Sequence, residues 1–213
     1  MRLLVLFDVD GTLFLTDDPL AGKALRETVE ERFDIQLPAD PIAHVDHAGQ
    51  TSLRIARLVL EAAGRAGVDA GELAAWCPCF AERYLELLAG ADTSGWRAAP
   101  DADDALERLH GAGHRLALLT GNPEPMARAR MTRLGLGRFF PAGQGGFGCE
   151  DESREELIAL ARARAGDWPA DATVEIGDTR RDADSARAAG IRSIGVAQSG
   201  LADAVARLTA SSA

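Results

Sequence analysis

Two aspartates separated by a single residue, Asp8-Val9-Asp10, follow directly on the apolar run Leu3-Leu4-Val5-Leu6-Phe7 and lead into Gly11-Thr12-Leu13. A carboxylate can attack phosphorus and form an aspartyl-phosphate, which divides hydrolysis of a phosphate ester into two steps, provided the charge of the phosphate is neutralised first. Asp8 stands where such a nucleophile would stand. Asp10, in the turn leaving the apolar run, can protonate a leaving-group oxygen as a general acid and then activate water as a base. A second acidic group, Gly177-Asp178-Thr179-Arg180-Arg181-Asp182, supplies the remaining oxygen ligands. Mg²⁺ favours near-octahedral oxygen coordination by few carboxylates, several waters and a substrate phosphate oxygen, so Asp8 and Asp178 are natural side-chain ligands for it. Asp182 would support the cation or its waters from the first turn of a helix. In Thr120-Gly121-Asn122 the Thr120 hydroxyl and the Gly121 N–H can hold phosphoryl oxygens as charge builds, and Asn122 adds a donor.

These groups need a scaffold that brings distant segments together. The run Leu3 to Phe7 reads as a strand buried on both faces, as at the centre of a parallel sheet. Further strands are expected at Arg115 to Leu119, ending in Thr120-Gly121-Asn122-Pro123, at Thr173 to Ile176, ending in Gly177-Asp178-Thr179, and at Ser193 to Val196. Helical spacing over 101–110 and 182–189, the latter stopped by Gly190, alternates with them and predicts a parallel α/β sheet. In such a sheet ligands bind at the carboxyl ends of the strands, which is where the polar residues gather. Between the first two strands lie about a hundred residues, far beyond the ~10 to 12 that a crossover needs. Helical periodicity over 18–33, 50–63 and 70–88 makes that insert an all-helical cap, with 92–95 a hinge back to the core. The expected division is 1–15 with 96–213 as core and 16–95 as cap, and residues 209–213 are expected to fray.

Taken in order, Asp8-Val9-Asp10-Gly11-Thr12, Thr120-Gly121-Asn122 and Gly177-Asp178-Thr179 with Asp182 resemble the motifs of the haloacid dehalogenase superfamily over nearly the whole chain. The resemblance implies a Rossmann-like core with a helical cap and a Mg²⁺-dependent phosphatase acting on a small phosphorylated metabolite, with phosphoglycolate-like or sugar phosphates in range. It implies that Asp10 adds its backbone carbonyl to the metal and fills both proton-transfer roles. It further implies a Lys or Arg near the start of a later helix. Lys23, the only lysine, falls in the cap, so an arginine must serve. Arg154, after the N-cap candidate Ser153, is the choice, against an exposed ion pair with Glu150 or Asp151 as the plain alternative and Arg162 or Arg164 as substitutes. Asp10 argues against a dehalogenase of the same fold, which would need neither the metal nor this second carboxylate. A phosphomutase and a catalytically silent metabolite-binding protein are the competing readings.

Capped members of the superfamily carry a G-x-T loop that reaches the site, and Gly49-Gln50-Thr51 is similar, although Thr51 could equally be the N-cap of the following helix. His44 and His47 on the same loop are expected to be solvated. The run Gly143-Gln144-Gly145-Gly146-Phe147-Gly148 lacks the Lys-Ser/Thr of a nucleotide loop and is expected to be a flexible loop near the site.

The bulk properties exclude several classes of function. A net charge of -10 repels nucleic acid and anionic lipid, and repels an anionic substrate too unless cations line the site. The apolar start is too short for a signal peptide or a membrane span, so a cytoplasmic monomer or homodimer is expected. The odd set Cys77, Cys79 and Cys149 reads as reduced packing residues, a redox pair in Cys77-Pro78-Cys79 being the lesser option.

Overall fold

The protein is described here by a computed structural model covering residues 1–196 and 200–210. Among these residues a five-stranded, wholly parallel sheet runs in the order β3-β2-β1-β4-β5. The strands are β1 (Leu4–Phe7), β2 (Arg115–Thr120), β3 (Gly146–Phe147), β4 (Thr173–Gly177) and β5 (Arg192–Gly195). β1 is central because each of its residues is buried on both faces. It pairs Phe7 with Leu118 on one side and with Ile176 on the other, so the segments after β1, β2 and β4 emerge at one edge.

Helices α4 (Ala102–Gly111), α5 (Glu124–Arg133), α6 (Arg154–Arg164), α7 (Arg180–Ala188) and α8 (Gly200–Ala210) flank the sheet. Because successive strand residues face opposite sides, Leu3, Val5 and Phe7 pack into one apolar layer while Leu4 and Leu6 pack into the other with Leu157 and Ile158. The insert forms α1 (Pro19–Phe33), α2 (Ser52–Ala62) and α3 (Ala70–Ala89), which bury a separate apolar cluster around Trp76, Phe80 and Tyr84. Asp18 caps α1 by accepting from the Leu20 N–H at 3.1 Å, and Asp69 with Glu72 forms a capping box on α3. The chain leaves and re-enters the core side by side: Leu15 N–H donates to Arg97 O at 3.0 Å and Ala99 N–H to Leu13 O at 3.0 Å. Both segments therefore cross at one place.

Three expectations are corrected. The glycine run is not wholly a loop: Gly146 and Phe147 form the edge strand β3, which pairs Leu119 with Gly146 and Thr120 with Phe147. Its glycines permit close backbone approach, since a Cβ on Gly146 would overlap the Leu157 carbonyl and one on Gly148 the Gly121 carbonyl. Helix α8 continues to Ala210, so fraying does not begin at Thr209, while 211–213 lie outside the described residues. The cysteines are not all reduced. Cys77 on α3 is bonded to Cys149 in the segment between β3 and α6, with Cα atoms 5.7 Å apart, and Cys79 alone is free and exposed. The fold brings the inward face of α3 over that segment, which a separation of 72 positions conceals in the sequence. Alkylation without reductant, read by peptide mass spectrometry, is expected to label Cys79 alone, whereas prior reduction should expose Cys77 and Cys149 as well.

Candidate active site

The sheet edge where β1, β2 and β4 end opens into a cavity of about 1050 Å³ beneath the helical cap. Asp8 N–H donates to Ile176 O at 2.9 Å, extending the β1 ladder so that the Asp8 carboxylate is fixed at the cavity floor and nearly buried. The chain then turns sharply, with the N–H groups of Leu13 and Phe14 both donating to Val9 O. Gly11 occupies this turn at φ +78°, where a Cβ would strike the Asp178 carboxylate. Asp10 projects into the cavity with its side chain 54% exposed. Thr12 reaches across to Asp178, its hydroxyl donating to Oδ1 at 3.3 Å.

Arg154 begins α6 and is nearly buried. Its Nη2 lies 3.5 Å from Asp8 Oδ1 and 3.2 Å from Glu175 Oε1 and is also bonded to Asp182 Oδ1. The plain alternative pairing is absent: Glu150 binds Arg164 instead, at 2.5 Å. Asp182 is held by the capping box of α7, accepting from Thr179 N–H at 2.8 Å, so it orients Arg154 from behind. At the other side, Thr120 Oγ accepts from the Asn122 side chain at 3.0 Å, and that same amide nitrogen donates to Asp10 Oδ2 at 2.5 Å.

Crowded carboxylates decide the electrostatics. Burial pushes Asp8 well above the usual carboxylate range, and Asp182, Asp10 and Asp178 push it further, with Arg154 alone opposing. Burial and Asp182 also raise Asp178. Another positive charge at this spot would favour the ionised form of these carboxyl groups. Oxygen atoms of Asp8, Asp178 and Asp182 lie within 4.8 Å of one another, and an all-oxygen donor set suits a hard divalent cation.

Of the residues singled out in the sequence, Asp8, Asp10, Gly49, Thr120, Gly121, Asn122, Arg154 and Asp178 line this one cavity. Asp182 stands behind it. Thr51 caps α2, accepting from Arg54 N–H at 3.2 Å, and its hydroxyl donates to Glu152 O at 3.2 Å, away from the cavity. Its neighbours make the contact: Ser52 N–H and Oγ both donate to Gly121 O at 2.8 Å, docking the cap loop on the core. His44 and His47 are exposed, as expected. Sequence reasoning misses Glu175, whose only signal is a charge inside the apolar run Thr173 to Ile176, and Arg130, which has no local signal. Glu175 is fully buried, bonded to Arg154, with Oε2 unpartnered, and burial pushes it up to about 8.

A family model described as haloacid dehalogenase-like hydrolase matches residues 3–190. The chain belongs to that family of hydrolases. Among curated relatives, a phosphoglycolate phosphatase of Mesorhizobium japonicum is 28% identical over 197 residues, 92% of this chain and 82% of the relative. One of Pseudomonas fluorescens is 26% identical over 196 residues, 91% of this chain and 68% of the relative. These relatives mark the chain as a phosphatase-type member, a phosphoric monoester hydrolase. In fold it is similar to CbbY from Rhodobacter sphaeroides in complex with phosphate, with TM-score 0.61 and 21% identity over 92% of this chain and 86% of that one. It is also similar to a structure from Haemophilus somnus described as a predicted phosphoglycolate phosphatase, with TM-score 0.64 and 17% identity over 100% and 98% of the two chains.

A folded-state value above the ordinary carboxylic-acid range means that Glu175 contributes stability at low pH that is lost as pH rises towards about 8. Glu175→Gln lacks this titration. Thermal denaturation of the two proteins should therefore show the variant gaining on the parent between about pH 4.5 and 8, with no further gain above that window.

Proposed function

We propose that the protein is a Mg²⁺-dependent phosphatase that hydrolyses a small phosphate monoester through an aspartyl-phosphate on Asp8. The observation that carries this reading is the convergence of Asp8, Asp10, Asp178 and Arg154 on one cavity floor, with Asp8 buried against Arg154 at 3.5 Å. Residues 1–15 and 96–213 make the catalytic core in this reading, and 16–95 the cap.

An Asp8 oxygen attacks phosphorus while the bond to the leaving oxygen breaks and Asp10 delivers its proton to that oxygen. In the second step a water gives its proton to Asp10 and attacks the same phosphorus, the Asp8–phosphorus bond breaks, and inorganic phosphate leaves. The Thr120 hydroxyl, the Gly121 N–H and Arg154 hold the phosphoryl oxygens through both steps. Asp8, Asp178 and the Asp10 carbonyl would hold Mg²⁺, which neutralises phosphate charge and keeps Asp8 ionised. Asp182 and Glu175 fix Arg154 in place. Cap and loop exclude water from the first step.

The substrate is read as an ester with a second anionic group, as in the phosphoglycolate of the relatives' names. Lys23 and Arg26 on α1 line the cavity, and Arg26 Nε is buried with no hydrogen-bond partner; Arg154 Nε is likewise unpartnered, but Arg154 Nη2 and the Arg130 nitrogens are engaged by carboxylates. A substrate carboxylate reaching Arg26 would satisfy that nitrogen.

Asp8→Asn should abolish Mg²⁺-dependent release of inorganic phosphate from both 2-phosphoglycolate and 4-nitrophenyl phosphate; unchanged release would move the nucleophile elsewhere. Transfer to a second hydroxyl with no free phosphate would instead mark a phosphomutase, and the absence of any turnover a binding protein. Arg26→Gln should raise KM for 2-phosphoglycolate about tenfold or more, from loss of a charged hydrogen bond, and leave KM for 4-nitrophenyl phosphate near the parent value.

A further inference from the structure

Arg130 lies on α5, outside every motif considered above, and is 2% exposed. A guanidinium buried this deeply must be matched by charge and hydrogen bonds. Asp18, itself buried at the root of the cap, supplies both: Arg130 Nη2 donates to Asp18 Oδ2 at 2.8 Å and Nε to the same oxygen at 3.2 Å. The Tyr84 hydroxyl on α3 donates to Asp18 Oδ2 at 2.6 Å and accepts from Arg130 Nε at 3.2 Å. The rings of Phe14 and Tyr84 pack against the guanidinium carbon at 5.0 and 5.4 Å. One cation thus already has one carboxylate, a phenol and two aromatic faces.

The remaining arm goes elsewhere. Nη1 donates to Asp10 Oδ1 at 2.8 Å, and Asp10 Oδ2 accepts from Asn122 at 2.5 Å. Neutralising a buried arginine does not require a second, half-exposed carboxylate when Asp18 is in place. Holding that carboxylate does require a donor whose own direction is fixed, and the bonds to Asp18 and Tyr84 fix it.

We propose that Arg130 is a positioning residue for Asp10, which fixes the direction in which the carboxylate faces the leaving group by anchoring it to the root of the cap at Asp18 and Tyr84. The proposal rests on the proton-transfer role assigned to Asp10 above. Because Asp18 caps α1 and Tyr84 belongs to α3, the acid and the cap share one rigid clamp. Cap position and acid geometry are thereby linked through a single side chain.

The test compares leaving groups, because only a poor one needs its oxygen protonated as the bond breaks. Full-length Mg²⁺-loaded enzyme in excess over substrate isolates the first step, followed by release of glycolate from 2-phosphoglycolate and of the phenol from 2,4-dinitrophenyl phosphate. Arg130→Met should slow glycolate release about 10²-fold and leave phenol release within about tenfold of the parent, the scale of lost general-acid catalysis. Arg130→Lys keeps the charge but cannot span Asp10 and Asp18 together, so it should show the same split if the methionine variant fails to fold. A proportional fall with both substrates, or no fall with either, overturns the positioning role. Asp10→Asn distinguishes the two levels: a split there alongside proportional losses at Arg130 sinks only the positioning role. The absence of a split in Asp10→Asn removes the acid assignment and the proposal with it.

Discussion

A single guanidinium set among buried carboxylates governs the architecture of the site. Arg154 touches Asp8, Asp182 and Glu175 where water is nearly excluded, so negative groups outnumber the positive one at the end of β1 and β4. Breaking such a cluster by removing one partner typically costs ~3 to 5 kcal/mol, because it strands the remaining charge. The imbalance is tolerable in a folded protein only when protons or a cation make up the difference. A divalent ion would supply the missing charge without a proton on Asp8. The oxygen atoms of Asp8, Asp178 and Asp182 are close enough together to hold such a cation.

Packing turns these charges into a site. Leu4 through Phe7 are wholly buried, so β1 cannot shift register without exposing apolar side chains, and Asp8 is held where the strand ends. The Gly121 carbonyl receives both donors of Ser52, which places the loop before α2 directly over the cavity-facing end of β2. A Cβ at Gly121 would overlap the Gln50 carbonyl, so the absence of a side chain there is what lets cap and core touch. Gly49 O, 3.5 Å from Arg154 Nη1, extends that contact to the charge cluster.

The fold and the charged edge are legible in sequence because they arise from local patterns. Leu3 to Phe7, Arg115 to Leu119 and Thr173 to Ile176 form strands of mainly apolar character, and each ends in the residues it presents to the cavity. Helix starts at Asp18, Asp69 and Thr179 carry side chains that cap their own backbones. Arg154 is found through helix-start position and the shortage of lysine rather than through geometry. What escapes is long-range. β3 has only the residues Gly146 and Phe147 and takes its form from β2 beside it, so composition alone suggests a loop. Arg130 lies 120 positions from Asp10 and 112 from Asp18, in a helix whose basic residues look like an ordinary solvated face. Thr51 shows the reverse case, where a local capping preference outweighs a family likeness.

The Cys77–Cys149 bond joins the helical insert to the segment between β3 and α6, in addition to the paired peptide crossings. Chain and sulfur together make a covalent circuit that passes through both halves of the molecule. In the unfolded polypeptide, a closure of 72 positions removes conformational freedom on the order of 4 kcal/mol by loop-entropy arithmetic. In the native molecule it is a covalent link between the insert and the core besides the two peptide crossings.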